Sequence, residues 1–263
     1  FNDFQAIDDV LIKALNDGVK PRWGPSGYKY MQIYCICHDM CVQRSPYNWS
    51  RHMYQGHGLT IQKYLHSTVL PSLQDKSCQG GEAFLNELRY RWSNHQTMNQ
   101  WLRKIFCYLD RYYVKQHSLP TLEETGLQLF KTEIYQHFKG HATSAIICLI
   151  NEEREGAIID KTLIKSIIGI YESMEVTYEL EQPLLDATRV YYSGKMKNLY
   201  AKSSMSACLA MAEEALDNEK TRVVEYLNPA TEPKILGKIR GLITFYKLKD
   251  AITNLELALW KAR

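Results

Sequence analysis

The chain has 263 residues, enough for one large or two ordinary domains with real cores. Its 32 Lys and Arg against 29 Asp and Glu leave a formal charge of +3 at pH 7, too little to serve as a nucleic-acid footprint. No apolar run approaches the ~18 residues of a membrane-spanning helix, and residues 1–10 carry three Asp where a secretory leader would be basic and then apolar, so the chain reads as soluble.

The hydrophobic period is helical almost throughout, with no sustained alternation of the kind that marks a sheet, so the expected fold class is all-α. Phe4, Ile7, Leu11 and Leu15 form a first stripe that ends at Gly18, and residues 21–27 make a breaker-rich link. A second helix is expected to start at Ser26. A third should run from Tyr54 to Leu70, where Pro71 stops it, and DKSCQGG reads as a loop. Two helical segments follow between Glu82 and Tyr113, the second with Met98, Trp101, Leu102, Ile105, Tyr108, Leu109 and Tyr112 on one side. Thr121 and Glu124 have capping-box spacing, since the hydroxyl can take an orphan N–H while the carboxylate returns to the cap's own N–H. The helix they open carries Leu127, Phe130, Ile134, Phe138, Ala145 and Leu149 on one face as far as the NEEREG turn, about 30 residues or ~45 Å. All eight histidines precede Gly156, and a domain boundary is drawn beside that turn, at residue 150. Beyond it, Leu163, Ile167, Ile168, Tyr171 and Met174 build one amphipathic helix. Met205, Leu209, Ala212, Leu216, Val223 and Tyr226 recur nearly in heptads in another, making a second helical bundle. The acid pairs Glu123-Glu124 and Glu152-Glu153 sit at helix ends, where capping or solvation accounts for them.

Seven cysteines is an odd count, and most lie inside apolar or amphipathic runs, the pattern of a reduced, intracellular chain. Three of them stand with a histidine in YMQIYCICHDMC, residues 30–41. Cys35, Cys37, His38 and Cys41 are zinc-ligand types, but structural zinc usually takes C-x2-C pairs on turns with a second pair downstream, and none exists here. At ~100° per residue Tyr30, Tyr34, Cys37 and Cys41 share one helix side with His38 beside them, whereas Cys35 rotates away. The stretch therefore reads as a core-and-contact helix, with a metal- or thiol-dependent helical protein using Cys35 to Cys41 as the alternative from a different class. No nucleophile signature surrounds any cysteine, and HExxH, GxSxG and phosphate-binding glycine loops are absent, so nothing proposes a reaction. The aromatics interleaved with Arg and Lys in RWSNHQTMNQWLRK and YLDRYYVK fit a protein–protein hot spot better than a stacking platform for single strands, which is usually built on a sheet.

The run EEREGAIIDKTLIKSIIGIYESM from Glu152 resembles the cullin pattern of a Glu-Arg-x-Gly turn followed by an Ile-Asp that opens a helix. RWSNHQTMNQWLRKIFCYLDRYYV is similar to that family's Trp-x-x-His segment followed by Tyr-Leu-Asp-Arg, and YMQIYCICHDMC resembles its Tyr-Met-x-Leu-Tyr helix. AEEALDNEKTRVVEYLNPATEPKIL from Ala212 resembles a later run of the same family. From these blocks, which hold their order over roughly residues 4–243, the chain is identified as the amino-terminal region of a cullin. The last stretch, TFYKLKDAITNLELALWKAR, departs from the pattern.

The resemblance implies five-helix cullin repeats stacked into an elongated stalk, the first in residues 1–150 and the second in 151–263 with a divergent or truncated end. It implies a non-catalytic scaffold of a cullin–RING ubiquitin ligase of the branch that serves F-box proteins, cytoplasmic and nuclear, with no cofactor. The RING subunit is held in that family by a carboxy-terminal domain that this sequence lacks, together with the family's modification lysine, so the chain reads as a fragment or a truncated cullin-like protein. Its first repeat would bind a BTB-like adaptor and, through it, F-box proteins. BTB-domain substrate adaptors on the same surface are the nearest alternative, and neither nucleic acid nor membrane is implied. Carried over by motif, the adaptor contacts are Tyr30, Met31, Tyr34, Cys37 and His38, together with Tyr108 and Arg111. The i,i+4 spacing of Tyr30, Tyr34 and His38 would present one aromatic ridge with Arg111 at its rim. His38 stands where the family usually has Tyr. An imidazole offers less apolar area and titrates at about pH 6.5, so binding through it is expected to weaken in mild acid.

Overall fold

The computed structural model describes residues 28–261; the stripe from Phe4 to Leu15 and the 21–27 link lie outside the described residues. Every regular element among the described residues is helical, and none of these helices is long and apolar enough to cross a membrane. α1 (Tyr28–Val42) and α2 (Ser50–Tyr64) are joined by a short connection in which the Asn48 amide donates to the carbonyls of Cys41 and Gln43, satisfying acceptors that a helix end leaves open. Pro71 does not stop the next helix. Instead α2 passes through a π turn, Leu65–Val69, directly into α3 (Leu70–Ser77). A proline removes one intrahelical bond and crowds the carbonyl four residues back, and a widened turn immediately before it relieves both. The expected DKSCQGG loop shrinks accordingly, because α3 reaches Ser77 and α4 (Gly81–Ile105) starts just after Gly80, whose φ of 125° favours glycine.

The two segments expected between Glu82 and Tyr113 divide at Phe106 (φ −98°, ψ 23°), so Met98 to Ile105 belong to α4. Beyond the break come a second π turn, Leu109–Tyr113, and the short α5 (Val114–His117). The Thr121 capping box forms as its spacing predicts: Thr121 Oγ1 accepts from the Glu124 N–H at 3.2 Å, and Glu124 Oε2 accepts from the Thr121 N–H at 2.7 Å. From it α6 (Leu122–Phe130) runs through a third π turn, Lys131–Tyr135, into α7 (Gln136–Arg154) without a break. Phe130, Ile134, Phe138, Ala145 and Leu149 are buried along this path. Gly156, at φ 96°, closes its end by donating to the Glu153 carbonyl. Contacts divide the chain into two compact units, Phe1–Ala142 and Thr143–Arg263, a division that falls inside α7 and upstream of the Gly156 turn.

In the second unit α8 (Lys161–Ser173) is capped by Asp160, whose carboxylate accepts from the N–H groups of Thr162 and Leu163. α8 and α9 (Thr177–Lys202) pack with α10 (Met205–Tyr226) and α11 (Glu232–Lys261). Leu163, Ile167, Ile168, Tyr171 and Met174 are buried, as their amphipathic spacing requires. The near-heptad pattern of α10 is less simple: Leu209 and Leu216 are half-buried, while Glu219 and Arg222 lie inside.

Those two charges join Arg154 of the EEREG turn. Arg154, with its side chain 1% exposed, donates from Nε to Glu219 Oε1 at 2.9 Å, from Nη1 to Asn151 and from Nη2 to Thr188. Its guanidinium also lies 5.2 and 5.4 Å from the ring centres of Tyr191 and Tyr192. Glu219, 0% exposed, further accepts from Arg222 Nη1 at 3.0 Å and from the Tyr192 hydroxyl at 2.7 Å. Arg222 reaches on to Glu153 Oε2 at 3.1 Å, where the Tyr226 hydroxyl also donates, and Lys161 bridges Glu153 Oε1 at 3.1 Å. Burial disfavours the charged form of Glu153, but the Tyr226 and Lys161 hydrogen bonds and the Arg222 charge outweigh it and hold the carboxyl below its usual range. Glu153 is therefore a member of a buried network and not the solvated helix end its position implied. Removing one partner of such a network strands the other in a dry interior. Arg154→Met is accordingly expected to lower stability to urea unfolding by ~3 kcal/mol, and Arg154→Met with Glu219→Leu by less than that single change. A cost below about 1 kcal/mol for the single substitution would contradict this account.

Candidate protein-binding surface

α1 packs against α4, and its period sorts the 30–41 side chains into two groups. Cys37 and Cys41, one turn apart, point inward; both are 3% exposed, and Cys41 Sγ lies 3.5 Å from Met53 Sδ of α2. Burial pushes the Cys37 thiol up to about 12, with nearby Cys41 adding to the effect, so it stays a protonated, apolar filler. Cys37 is thus corrected from a surface contact to a core residue. Cys35 is exposed on another side of the helix, and no group of three or more His, Cys, Asp or Glu side chains placed to hold a metal ion occurs among the described residues. The spacing that made the cluster look like a ligand set is the spacing that scatters it around a helix.

Tyr34 and His38 rotate to the rim instead. Their rings stack with centroids 6.3 Å apart, His38 meets the Tyr108 ring edge-on at 5.1 Å, and Tyr108 lies 4.5 Å from Tyr112. Four rings thus run without a gap from α1 onto the Leu109–Tyr113 turn. Met31 and Tyr112 are more than half exposed, Tyr34, His38 and Tyr108 are partly exposed, and Arg111 is exposed. The side chain of Tyr30 lies outside the described residues. Tyr112 was placed only on a helix face by its sequence; the signal for its place in the row is its i,i+4 relation to Tyr108.

The sequence profile of the cullin alpha solenoid domain matches residues 7–259. The chain belongs to the cullin family. The match passes residue 243 and takes in most of TFYKLKDAITNLELALWKAR, correcting the expectation that family likeness ends before that stretch. The chain is 40% identical over 251 residues to Cullin-1 of Oryza sativa subsp. japonica and 36% identical over 250 residues to putative cullin-like protein 1 of Arabidopsis thaliana, each match covering 93% of this chain. It is 30% identical over 219 residues, 81% of its length, to Cullin-like protein 3 of Arabidopsis thaliana. It spans 33% and 34% of the first two proteins and 83% of the third.

In this cullin, polar contacts fix the turn that carries Tyr108 and Tyr112. Asp110 Oδ1 accepts from the Leu122 N–H at 2.9 Å, tying the π turn to the start of α6; burial raises the Asp110 carboxyl against the effect of that bond. Tyr54 of α2 donates to the Pro120 carbonyl at 2.8 Å, and its ring lies 5.9 Å from that of Tyr113. Deeper in, the RWSNH block supplies His95, whose Nε2 donates to the Gly126 carbonyl at 2.9 Å, with the Trp92 and Phe130 rings around it. His57 of α2 is buried edge-on against Phe106, and neither of its ring nitrogens has a protein hydrogen-bond partner.

Both imidazoles are neutral for the same reason: burial pushes each down to about 4, and for His95 it does so against the Gly126 carbonyl, which favours the proton. The unfolded chain takes up these protons near 6.5, so stability from both groups is fully present above that pH and is lost as pH falls from 6.5 toward 4. Each histidine is expected to contribute roughly 1.4 kcal/mol of loss per pH unit across that window. Urea unfolding followed from neutral pH downward checks this, and His57→Leu should reduce the slope. An unchanged slope in that variant would rule out a neutral buried His57.

Proposed function

We propose that the chain is a non-catalytic scaffold segment of a cullin–RING ubiquitin ligase, cytoplasmic and nuclear, whose α1 and Leu109–Tyr113 turn hold a BTB-like adaptor and, through it, F-box proteins. The observation that carries this reading is the row Tyr34, His38, Tyr108 and Tyr112, flanked by exposed Met31 and Arg111. Tyr, Met and Arg are the residue types that protein interfaces favour, and Tyr and Arg commonly supply most of their binding energy. Each ring braces the next, so little side-chain freedom is left to lose on binding. Cys37 supports the row from below by filling the core, and Arg111 offers a guanidinium fork to an acidic or carbonyl group of the adaptor.

Isothermal titration of the whole chain against a purified adaptor–F-box-protein pair is expected to give sub-micromolar binding. Tyr34→Ala should weaken it by about 2 kcal/mol or more, as loss of a ring from a hot spot does. Cys37→Ser, which buries a hydroxyl in place of a thiol, should lower thermal stability and leave the affinity nearly unchanged. Absence of binding by the unsubstituted chain would overturn the F-box assignment, and binding to a BTB-domain protein in its place would move the adaptor to that class.

A further inference from the structure

The turn between α1 and α2 is exposed, yet its backbone is tied down. Every residue from Val42 to Trp49 is exposed, Tyr47 at 68%, and so are Arg51 and His52 in the first turn of α2. Besides the Asn48 amide on the Cys41 and Gln43 carbonyls, Asn48 Oδ1 accepts from the Ser50 N–H at 3.0 Å, the Tyr47 N–H donates to the Arg44 carbonyl at 2.9 Å and the Trp49 N–H to the Met40 carbonyl at 3.1 Å. The Trp49 ring lies 5.1 Å from that of His52. Two large rings are thus kept in water on an ordered backbone, although burying either would be favourable. Charge here has one sign. Residues 40–74 contain no Asp or Glu, whereas Arg44 and Arg51 flank the two rings in sequence. Acids of the adjoining elements are committed elsewhere: Asp39 meets His38 at 3.2 Å, Glu123 pairs with Arg103 at 2.6 Å, and Glu124 closes its capping box.

We propose that this turn is a docking surface for an acidic segment of a protein partner, whose carboxylates pair with Arg44 and Arg51 while an apolar side chain beside them packs on Tyr47 and Trp49. A guanidinium takes a carboxylate through two parallel N–H donors, and Tyr, Trp and Arg are the residues from which interfaces draw most of their binding energy. Arg44 and Arg51 repel a basic partner and would lose water to a neutral one without a counterion in return, so charge selects the acidic one. Hydrogen bonds within the turn have already fixed its backbone, so binding has only side chains to order. Single-stranded nucleic acid is the poorer fit, because two arginines release too few counterions to hold a phosphate backbone. The surface lies past the aromatic row at the end of α1 and uses none of its rings, so it stands or falls independently of adaptor binding.

Fluorescence anisotropy with the whole chain tests it, the probe being a labelled Glu-rich peptide with a single central Trp. A dissociation constant on the order of 100 µM is expected, rising with salt. Arg44→Glu and Arg51→Glu should each weaken binding at least about tenfold, and Tyr47→Ala about fivefold. Tyr34→Ala should leave it unchanged, and a peptide with Lys in place of every Glu should not bind. Arg44, Tyr47 and Arg51 are exposed, so a circular-dichroism spectrum unchanged by substitution separates loss of binding from loss of fold. Absence of binding at about 500 µM chain, an affinity untouched by either arginine substitution, or tighter binding of an oligothymidine than of the peptide overturns the proposal.

Discussion

The helix carbonyl of Gly126, held by a buried imidazole, governs how closely α6 can approach α4. A Cβ at residue 126 would lie 2.4 Å from the Asn99 side chain, so the glycine is there to admit Asn99 and to bring the carbonyl within reach of His95. Everything that presents the aromatic row depends on that approach. α4 leads through Phe106 into the turn bearing Tyr108 and Tyr112, and the start of α6 pins the same turn through Asp110. The Tyr108–Tyr112 end of the row is thus held from two directions, by the chain leaving α4 and by the Asp110 carboxylate on the Leu122 N–H.

The two units solve the problem of buried polarity in opposite ways. The first keeps His57 and His95 neutral and accepts that one of them has no protein partner. The second keeps Arg154, Glu219, Arg222 and Glu153 charged and supplies each with donors or acceptors from the helices around it. Neither arrangement contributes much over a well-packed apolar core, but each penalises the wrong packing of its helices heavily, which makes them devices of specificity. The first arrangement weakens in mild acid. In the second, the Tyr226 and Lys161 hydrogen bonds and the Arg222 charge hold the Glu153 carboxyl below its usual range.

Much of the fold was legible because single residues carry local rules. Thr121 and Glu124 announced their capping box, and Phe130 to Leu149 the buried face of the long helix. What was not legible depends on a partner distant in sequence. Pro71 reads as a stop in any local rule, and only the π turn before it lets the helix continue. Cys37 and His38 are neighbours with opposite fates, and a helical wheel gives their angle but not which angle faces α4. Glu219 and Arg222 look like ordinary exposed charges of α10 until Arg154, far upstream, supplies the counterion. Of the contacts carried over by motif, Met31, Tyr34, His38, Tyr108 and Arg111 form one accessible surface, Tyr112 extends it and Cys37 leaves it.

As proposed, α1 and the Leu109–Tyr113 turn together make one docking surface, which hydrogen exchange of the whole chain, with and without an adaptor–F-box-protein pair, puts to the test. Slowed exchange confined to residues 31–38 and 108–113, with the second unit unchanged, is the predicted result. Protection that leaves those two segments untouched and appears elsewhere on the chain would contradict it.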